Sequence, residues 1–158
     1  MAGICLILHN LRSAQNVGAI FRTAEAAGVG KIYLTGYTPT PMDRFGRLNR
    51  AVLKSSLGAE KFVQWESHKI IKNLLNKLLA SGFQLLALEQ SKNSTSYKKV
   101  KIKGPTAITI GNEVTGLPKS ILQQCDIVAE IPMRGKKESL NVSVACGIAL
   151  YEVGRQRA

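Results

Sequence analysis

The chain has 158 residues and is 45% hydrophobic, which suits a single domain that buries about two thirds of its unfolded surface. It contains no apolar run near the ~20 residues of a membrane span and no basic leader before a hydrophobic stretch. We therefore expect a soluble, unprocessed protein with no membrane partner. The net charge of +12 favours a nucleic-acid partner, although solubility alone would also account for it.

The cysteines and histidines argue against a disulfide or metal scaffold. Cys5, Cys125 and Cys146 are odd in number, widely spaced and set among apolar residues, which is typical of reduced core thiols. This pattern predicts a cytoplasmic protein. His9 and His68 lie far apart and no CxxC pair is present, so the usual zinc patterns are missing and we expect no metal site.

Short apolar runs alternate with amphipathic segments along the chain. About six strands are expected, at 4–8, 31–34, 61–65, 83–88, 106–110 and 127–131, with a short edge strand near Val100 as a further candidate. Helices are expected at 16–27, 51–57, 67–80 with Ser67 as its cap, and 142–153. Because a helix separates the first two strands, the pattern predicts an α/β fold with a mostly parallel sheet flanked by helices.

The last third of the chain has the residue types of a ligand site. The strand at 106–110 stops at Gly111-Asn112-Glu113, and the strand at 127–131 is followed by a basic loop at 133–138. Ser139, Asn141 and Ser143 offer capping side chains before the last helix. Ligands of parallel sheets bind at the carboxyl ends of strands, so we expect a small-molecule site here, joined by the loop at 89–91. The alternative is that Gly111, Gly116 and Gly135 are ordinary turn glycines.

The segment 36–50 reads as a loop with evenly spaced arginines. Arg44, Arg47 and Arg50 are interleaved with Phe45 and Asn49, which suits phosphate contact and base stacking. A solvated loop without a ligand is the equally weighted alternative.

Two common nucleotide motifs do not fit. Gly30-Lys31 is followed by Ile32 and precedes a strand, so it is not a P-loop. The stretch 10–19 contains only Gly18, so the glycines of a dinucleotide fingerprint are missing. ATPase and dehydrogenase functions are therefore disfavoured.

Three segments in order resemble the motifs of the SpoU/TrmH family of RNA ribose 2′-O-methyltransferases, in the SPOUT superfamily. The first is NLRSAQNVG at 10–18, continued through Arg22-Thr23 to Gly28. The second is GNEVTGL at 111–117, and the third is IPM at 131–133 with SLNVS at 139–143. The resemblance spans nearly the whole chain.

The resemblance implies an α/β domain with a deep C-terminal trefoil knot that binds S-adenosylmethionine. It implies a homodimer whose active site is composed from both subunits; the apolar face of the last helix suits that interface and an intramolecular core equally. Relatives often carry an N-terminal RNA-binding domain, whereas this chain is expected to be a single catalytic domain, 1–158, without that extension.

Site residues carry over by the same resemblance. The catalytic positions are Arg22, Asn16, Glu113, Ser139 and Asn141, with Asn16 orienting Arg22, and with Glu113 holding Arg22 or Asn141. The cofactor positions are Leu88, Gly111, Asn112, Gly116, Ile131, Met133, Ser139 and Leu140. Charge and placement, rather than resemblance, suggest RNA contacts by Arg12, Arg44, Arg47, Arg50, Arg134, Lys136 and Lys137.

The expected function is methyl transfer from S-adenosylmethionine to a ribose 2′-hydroxyl of tRNA or rRNA. The mechanism proposed for the family makes Arg22 a base. A guanidinium stays protonated, however, so stabilising an alkoxide is chemically easier for it than accepting a proton. Both roles stay open. A non-catalytic RNA-binding or assembly protein with the same fold is the alternative. Methylation of an RNA base is disfavoured by the ribose-type first motif.

Overall fold

Seven parallel strands form one sheet in the part of the chain that the structure, a computed structural model, describes, residues 3–157. The strands are β1 (Ile4–His9), β2 (Lys31–Thr35), β3 (Gln64–His68), β4 (Gln84–Leu88), β5 (Thr95–Ser96), β6 (Thr106–Ile110) and β7 (Ile127–Glu130). Their order across the sheet is β3-β2-β1-β6-β4-β7-β5, and every neighbouring pair is parallel. All carboxyl ends therefore meet at one edge.

Helices cover both faces of this sheet. They are α1 (Ala14–Ala26), α2 (Arg50–Ser56), α3 (Ile71–Ala80), α4 (Lys119–Leu122) and α5 (Val142–Arg155), with 3₁₀ turns at Ala59–Lys61 and Tyr97–Lys99. Alternate side chains of β1 point to opposite faces, so Leu6 packs with α1 and α5 while Ile7 packs with α3 and α4. The predicted α/β class and mostly parallel sheet are confirmed.

Three sequence predictions of local structure were wrong. The third strand lies at Gln64–His68 rather than 61–65, because a 3₁₀ turn occupies its expected start. Ser67 pairs with Leu34 inside that strand, so it does not cap α3, which begins at Ile71. The edge strand is Thr95–Ser96, while Val100 is a core residue after a 3₁₀ turn.

Gly18 allows α2 to pack directly on α1. A Cβ at this position would overlap the carbonyl oxygen of Val52 and the side chain of Ser55, and would lie 2.9 Å from the backbone nitrogen of Ser56. Asn49 caps α2 by accepting a hydrogen bond from the backbone of Val52. The segment 36–49, which we call the arginine loop, leads directly into α2. This close packing therefore sets where the arginine loop lies relative to α1.

Features of other protein classes are missing from residues 3–157. The three cysteines are free thiols, and burial raises the pKa of each to about 12, so they stay protonated at neutral pH. In the same residues no cluster of three His, Cys, Asp or Glu side chains is arranged to hold a metal. None of the helices described is both long enough and apolar enough to span a bilayer.

Candidate active site

A cleft of about 300 Å³ lies at the carboxyl ends of β4, β6 and β7, beside the start of α5. This volume is at the lower end of the range for small-molecule sites. Its lining includes all eight predicted cofactor positions: Leu88, Gly111, Asn112, Gly116, Ile131, Met133, Ser139 and Leu140. The structure thus brings the three loops expected from the sequence into one concavity.

The loop after β6 is folded so tightly that two of its positions require glycine. The backbones of Asn112 and Gly116 form an antiparallel bridge, and Gly116 has a φ of 67°. A Cβ at Gly111 would lie 2.6 Å from the carbonyl carbon of Gly116. These glycines are therefore determined by the shape of the cleft wall rather than by an ordinary turn.

Glu89 and Gln90 bind the neighbouring loops together, a role that the sequence did not reveal. The Glu89 carboxylate accepts a 2.8 Å hydrogen bond from the backbone of Leu117 and lies against Gly116. The Gln90 side chain donates to the carbonyl of Glu138 at 3.0 Å. The available signal was a carboxylate and an amide directly after a buried strand, but only packing identifies their partners.

Glu113 connects the loop after β6 to the first turn of α1. Its carboxylate accepts hydrogen bonds from the backbone N–H groups of Arg12 and Ser13, both at 2.9 Å, and from the side-chain amide of Asn16 at 3.2 Å. Partial burial opposes its ionisation, but these hydrogen bonds outweigh burial, so the pKa of Glu113 is lowered. The carboxylate is therefore charged at neutral pH.

Asn141 extends this connection to α5. Its amide donates to the side-chain oxygen of Asn16 at 3.2 Å, and its own oxygen accepts from the backbone of Ser143, which caps the helix. Glu113 was expected to hold Arg22 or Asn141. Within one chain it holds Asn16, and Asn16 in turn receives Asn141. The chain Glu113–Asn16–Asn141 spans all three sequence motifs.

The side chain of Asn112 is fully engaged in the loop structure. Its oxygen accepts from the backbones of Val114 and Thr115, at 2.8 and 2.9 Å. Its amide donates to the carbonyl of Asn10 at 2.9 Å and to the hydroxyl of Tyr37 at 3.1 Å. Any ligand contact by Asn112 is thus left to its backbone.

Residues 3–151 match the SpoU rRNA Methylase family. The chain belongs to this family. The three motifs that form the cleft and its hydrogen-bonded wall all lie inside the matched region.

Three comparisons show how far the SpoU likeness extends. The chain is 34% identical to the 23S rRNA (guanosine-2′-O-)-methyltransferase RlmB of Pseudomonas aeruginosa, over 98% of this chain and 59% of the relative. An AdoMet-bound rRNA methyltransferase from Sinorhizobium meliloti superposes with a TM-score of 0.90 at 27% identity, over 99% of this chain and 57% of that chain. A structure described as "Structural insights into the 2-OH methylation of C/U34 on tRNA" superposes with a TM-score of 0.82 at 27% identity, over 98% of this chain and 95% of that chain.

The chain thus spans less than two thirds of the Pseudomonas relative and of the Sinorhizobium protein. The likeness to the structure concerned with C/U34 covers nearly all of both chains.

Arg22 lies apart from the other SpoU-type site residues. It is exposed on α1 and does not line the cleft. Among residues 3–157 no hydrogen bond or ion pair holds its side chain. One chain therefore brings Asn16, Glu113, Ser139 and Asn141 together and leaves Arg22 directed to solvent.

None of the basic residues suggested for RNA contact lines the cleft. Arg134, Lys136 and Lys137 are exposed on the loop between Met133 and Glu138, which both line the cleft. In the arginine loop, the guanidinium groups of Arg44 and Arg47 lie 4.7 and 5.2 Å from the ring of Phe45. Arg12 is exposed in the first motif, just before α1. Arg50 is the first residue of α2 rather than the last residue of the arginine loop.

The lining of the cleft carries the opposite charge. Its residues include four glutamates, Glu89, Glu113, Glu130 and Glu138, and no lysine or arginine is among them. In a chain with a net charge of +12, this is a local reversal of sign. Such a cleft attracts a cationic small molecule and disfavours a phosphate group.

Proposed function

We propose that this chain transfers a methyl group from S-adenosylmethionine to a ribose 2′-hydroxyl of tRNA or rRNA. The observation that carries the proposal is the separation of charge: an acidic cleft at the strand ends, bordered by the exposed Arg134, Lys136 and Lys137 and by Arg12, whose backbone binds Glu113. S-adenosylmethionine supplies an electrophilic methyl group on a sulfonium cation when it is bound. The acidic cleft suits that cation, and the basic surroundings suit RNA phosphates.

The cleft residues fit the cofactor in shape as well as in charge. Apolar side chains of Leu88, Ile110, Ile131 and Leu140 offer surface for the adenine and ribose, while the buried Gly111 lets the loop close against Gly116 at the cleft wall. The similar Sinorhizobium protein is described as AdoMet-bound. We propose that all eight lining positions predicted from the sequence contact the cofactor.

The chain's own residues would act chiefly by positioning the ribose. The hydroxyl oxygen must approach the methyl carbon in line, forming a bond to it as the bond from that carbon to sulfur breaks, and the hydroxyl proton passes to water. Holding that geometry supplies much of the acceleration. Glu113 and Asn141 hold the amide of Asn16 from both sides, so Asn16 is a pre-oriented group for the ribose. Because a guanidinium stays protonated, we assign Arg22 to stabilising the developing oxyanion or the adjacent phosphate.

Transfer of labelled methyl groups to separate tRNA and rRNA fractions tests this proposal. Wild type should incorporate label as a ribose 2′-O-methyl group, and Arg22→Ala should lose it while keeping cofactor affinity. The matched control is Glu25→Gln, an exposed position on the same helix. Label on a base, or no label despite cofactor binding, would overturn the assignment; the second result would favour a non-catalytic RNA-binding protein.

The substrate class rests on similarity to proteins described for both kinds of RNA. One relative is described as a 23S rRNA methyltransferase, and one structure as concerning methylation of C/U34 on tRNA. We propose a tRNA or rRNA substrate, read by the basic residues named above. The reduced thiols support a cytoplasmic location, and we treat 1–158 as one catalytic domain.

We propose further that the active enzyme is a homodimer. Val144 and Tyr151 are exposed on α5 at a spacing of two helical turns, with the half-buried Ile148 between them. Thr23 of α1 packs beside Gly147 of α5, so this apolar stripe adjoins the segment that bears Arg22. A two-fold contact through this surface would bring Arg22 to the partner's cleft and complete the site.

Mixing two impaired variants tests the shared site. Arg22→Ala lacks the arginine and Glu113→Gln lacks the oriented asparagine, so a mixed dimer contains one site with both intact. Activity should rise well above the sum of the two variants after they are unfolded and refolded together, and should stay at its low level when each is refolded alone. Failure to recover activity, with mixed dimers verified by mass, would show that each chain uses its own Arg22.

We also propose that the C-terminal segment is threaded as a deep trefoil knot, as the SpoU resemblance implies. Pulling the chain from residues 3 and 156 with optical tweezers would test it. A knotted chain reaches a shorter unfolded length than about 3.6 Å per residue, because the tightened knot retains chain. A full contour length would exclude the knot, and pulling between residues 3 and 104, before the last strands, is the control.

A further inference from the structure

We propose that the exposed ring of Tyr37 is a stacking platform for an unpaired base of the substrate RNA. The proposal deepens the proposed function and rests on it. Tyr37 lies two residues after the end of β2, outside the three motifs, and the residue is 62% exposed.

Both ends of Tyr37 are held in place. Its backbone N–H donates to the side-chain oxygen of Asn10 at 3.1 Å, and its hydroxyl accepts from the amide of Asn112 at 3.1 Å. Asn10 has a φ of 54°, and the adjacent Gly36 has a φ of 64° and lies against the Asn10 side chain. The ring is therefore fixed in orientation although most of its surface faces solvent.

The position of the ring links the two surfaces that the proposed reaction needs. Asn112 lines the cofactor cleft, and the next residue is Glu113, which orients Asn16. In the other direction the chain runs from Tyr37 into the arginine loop, where Arg44 and Arg47 flank Phe45. RNA lying on the arginine loop while it presents a ribose to the cleft would pass over Tyr37.

A fixed aromatic ring suits single-stranded RNA. Bases stack on aromatic faces regardless of sequence, and a pre-oriented ring loses little conformational freedom on binding. Its hydroxyl oxygen accepts from Asn112, so the hydroxyl hydrogen is directed elsewhere and suits an acceptor on the base or ribose. Phe62 and Tyr151 are also exposed, but neither is hydrogen-bonded to a residue that lines the cleft.

Photo-cross-linking locates the stacked base directly. The probe is a single-stranded RNA of about 15 nucleotides with uridine replaced by 5-iodouridine, which cross-links to aromatic side chains in stacking contact. Mass spectrometry should place the main adduct on Tyr37. Adducts on Phe62 or Tyr151 instead, or none on Tyr37 at saturating RNA, would overturn the proposal.

Two substitutions separate stacking from a purely structural hydrogen bond. Tyr37→Phe keeps the ring and removes the hydroxyl, whereas Tyr37→Leu removes the ring as well. Affinity for the RNA probe should fall on the order of 5- to 100-fold for Leu and much less for Phe. Equal losses for both would show that the hydroxyl contact to Asn112 is what matters, and no loss for either would exclude stacking. Phe62→Leu is the matched control and should bind RNA as wild type does.

Steady-state kinetics keep this inference distinct from the proposed function. Tyr37→Leu should raise the KM for RNA by a similar factor with little change in kcat or in cofactor affinity. If wild type transfers methyl groups and Tyr37→Leu has an unchanged KM, the platform is wrong and the enzyme assignment stands. If wild type transfers no methyl group but cross-links at Tyr37, the enzyme assignment fails and the base-binding surface remains.

Discussion

Glu113 accepts a 3.2 Å hydrogen bond from the side-chain amide of Asn16, across a sequence separation of 97 residues. The same carboxylate receives the backbone N–H groups of Arg12 and Ser13 at the start of α1. Anionic groups are stabilised at a helix amino terminus, where N–H groups lack partners within the helix. Glu113 is therefore at once a support for α1 and the group that sets the direction of Asn16.

Replacing Glu113 by Gln should reduce methyl transfer about tenfold or more. One carboxylate oxygen becomes an amide NH₂, which cannot accept the hydrogen bond that a backbone N–H group now donates to that oxygen. Cofactor affinity should change less, since the cleft shape is retained. Kinetics with labelled S-adenosylmethionine measure both effects. Glu25→Gln makes the same chemical change on the exposed surface of α1 and should be silent. A fully active Glu113→Gln would remove Asn16 orientation from the mechanism.

Gly18→Ala should destabilise the protein by about 1–3 kcal/mol or more, because the added methyl group overlaps the backbone of Val52 in α2. Gly147→Ala is the matched helix-interior control: its Cβ meets only Thr23 at 3.4 Å, and alanine favours the helix. Urea denaturation measures the free energy of unfolding of each variant. Equal stability of the two would mean that α2 moves away from α1 without loss.

Stability should fall as the pH drops below about 6.5 because of His9. Burial lowers the pKa of His9 from its ordinary 6.5, and its ring accepts a hydrogen bond from Asn10, so the folded state holds the neutral form. The unfolded chain takes up a proton first, and folded stability therefore decreases as pH falls, by at most about 1.4 kcal/mol per pH unit.

Urea midpoints at about pH 7.5 and about pH 5.5 check this dependence. The variant His9→Gln should flatten it, whereas His68→Gln, at the end of β3, should retain it. A dependence that survives His9→Gln would assign the effect to other groups.

Reversing charge in the arginine loop should weaken RNA binding and its salt dependence together. Arg44→Glu with Arg47→Glu removes two exposed cations that flank Phe45. The slope of log affinity against log salt should decrease by about 0.7 for each lost phosphate contact in single-stranded RNA. Filter binding over a salt series measures it. The control is a variant in which the exposed Lys72 and Lys77 of α3 are both replaced by Glu, so that it has the same net charge as the arginine-loop variant. An equal loss of RNA affinity in this control would exclude a specific RNA contact by Arg44 and Arg47.

Local patterns predicted most of the fold and the cleft. The strand at Thr106–Ile110 ends where its apolar run ends, and the glycine that follows it faces the backbone of Gly116 in the structure. The alternation of apolar and polar residues and the placement of glycines are properties of neighbouring residues, so the sequence alone can predict structure from them. The limit of this reasoning is seen at β3, where a 3₁₀ turn at Ala59–Lys61 takes the first residue of the expected strand and the strand itself begins only at Gln64.

By itself, the sequence determined the α/β class, the SpoU resemblance and the loops that line the cleft. Only the tertiary structure decided that Glu113 binds Asn16, that Arg22 lies outside the cleft of its own chain, and that Tyr37 is joined to Asn112. These contacts join distant segments, and they depend on strand order and register, since a shift of one residue turns a side chain to the other face. No spacing within one segment encodes that register, so packing had to supply it.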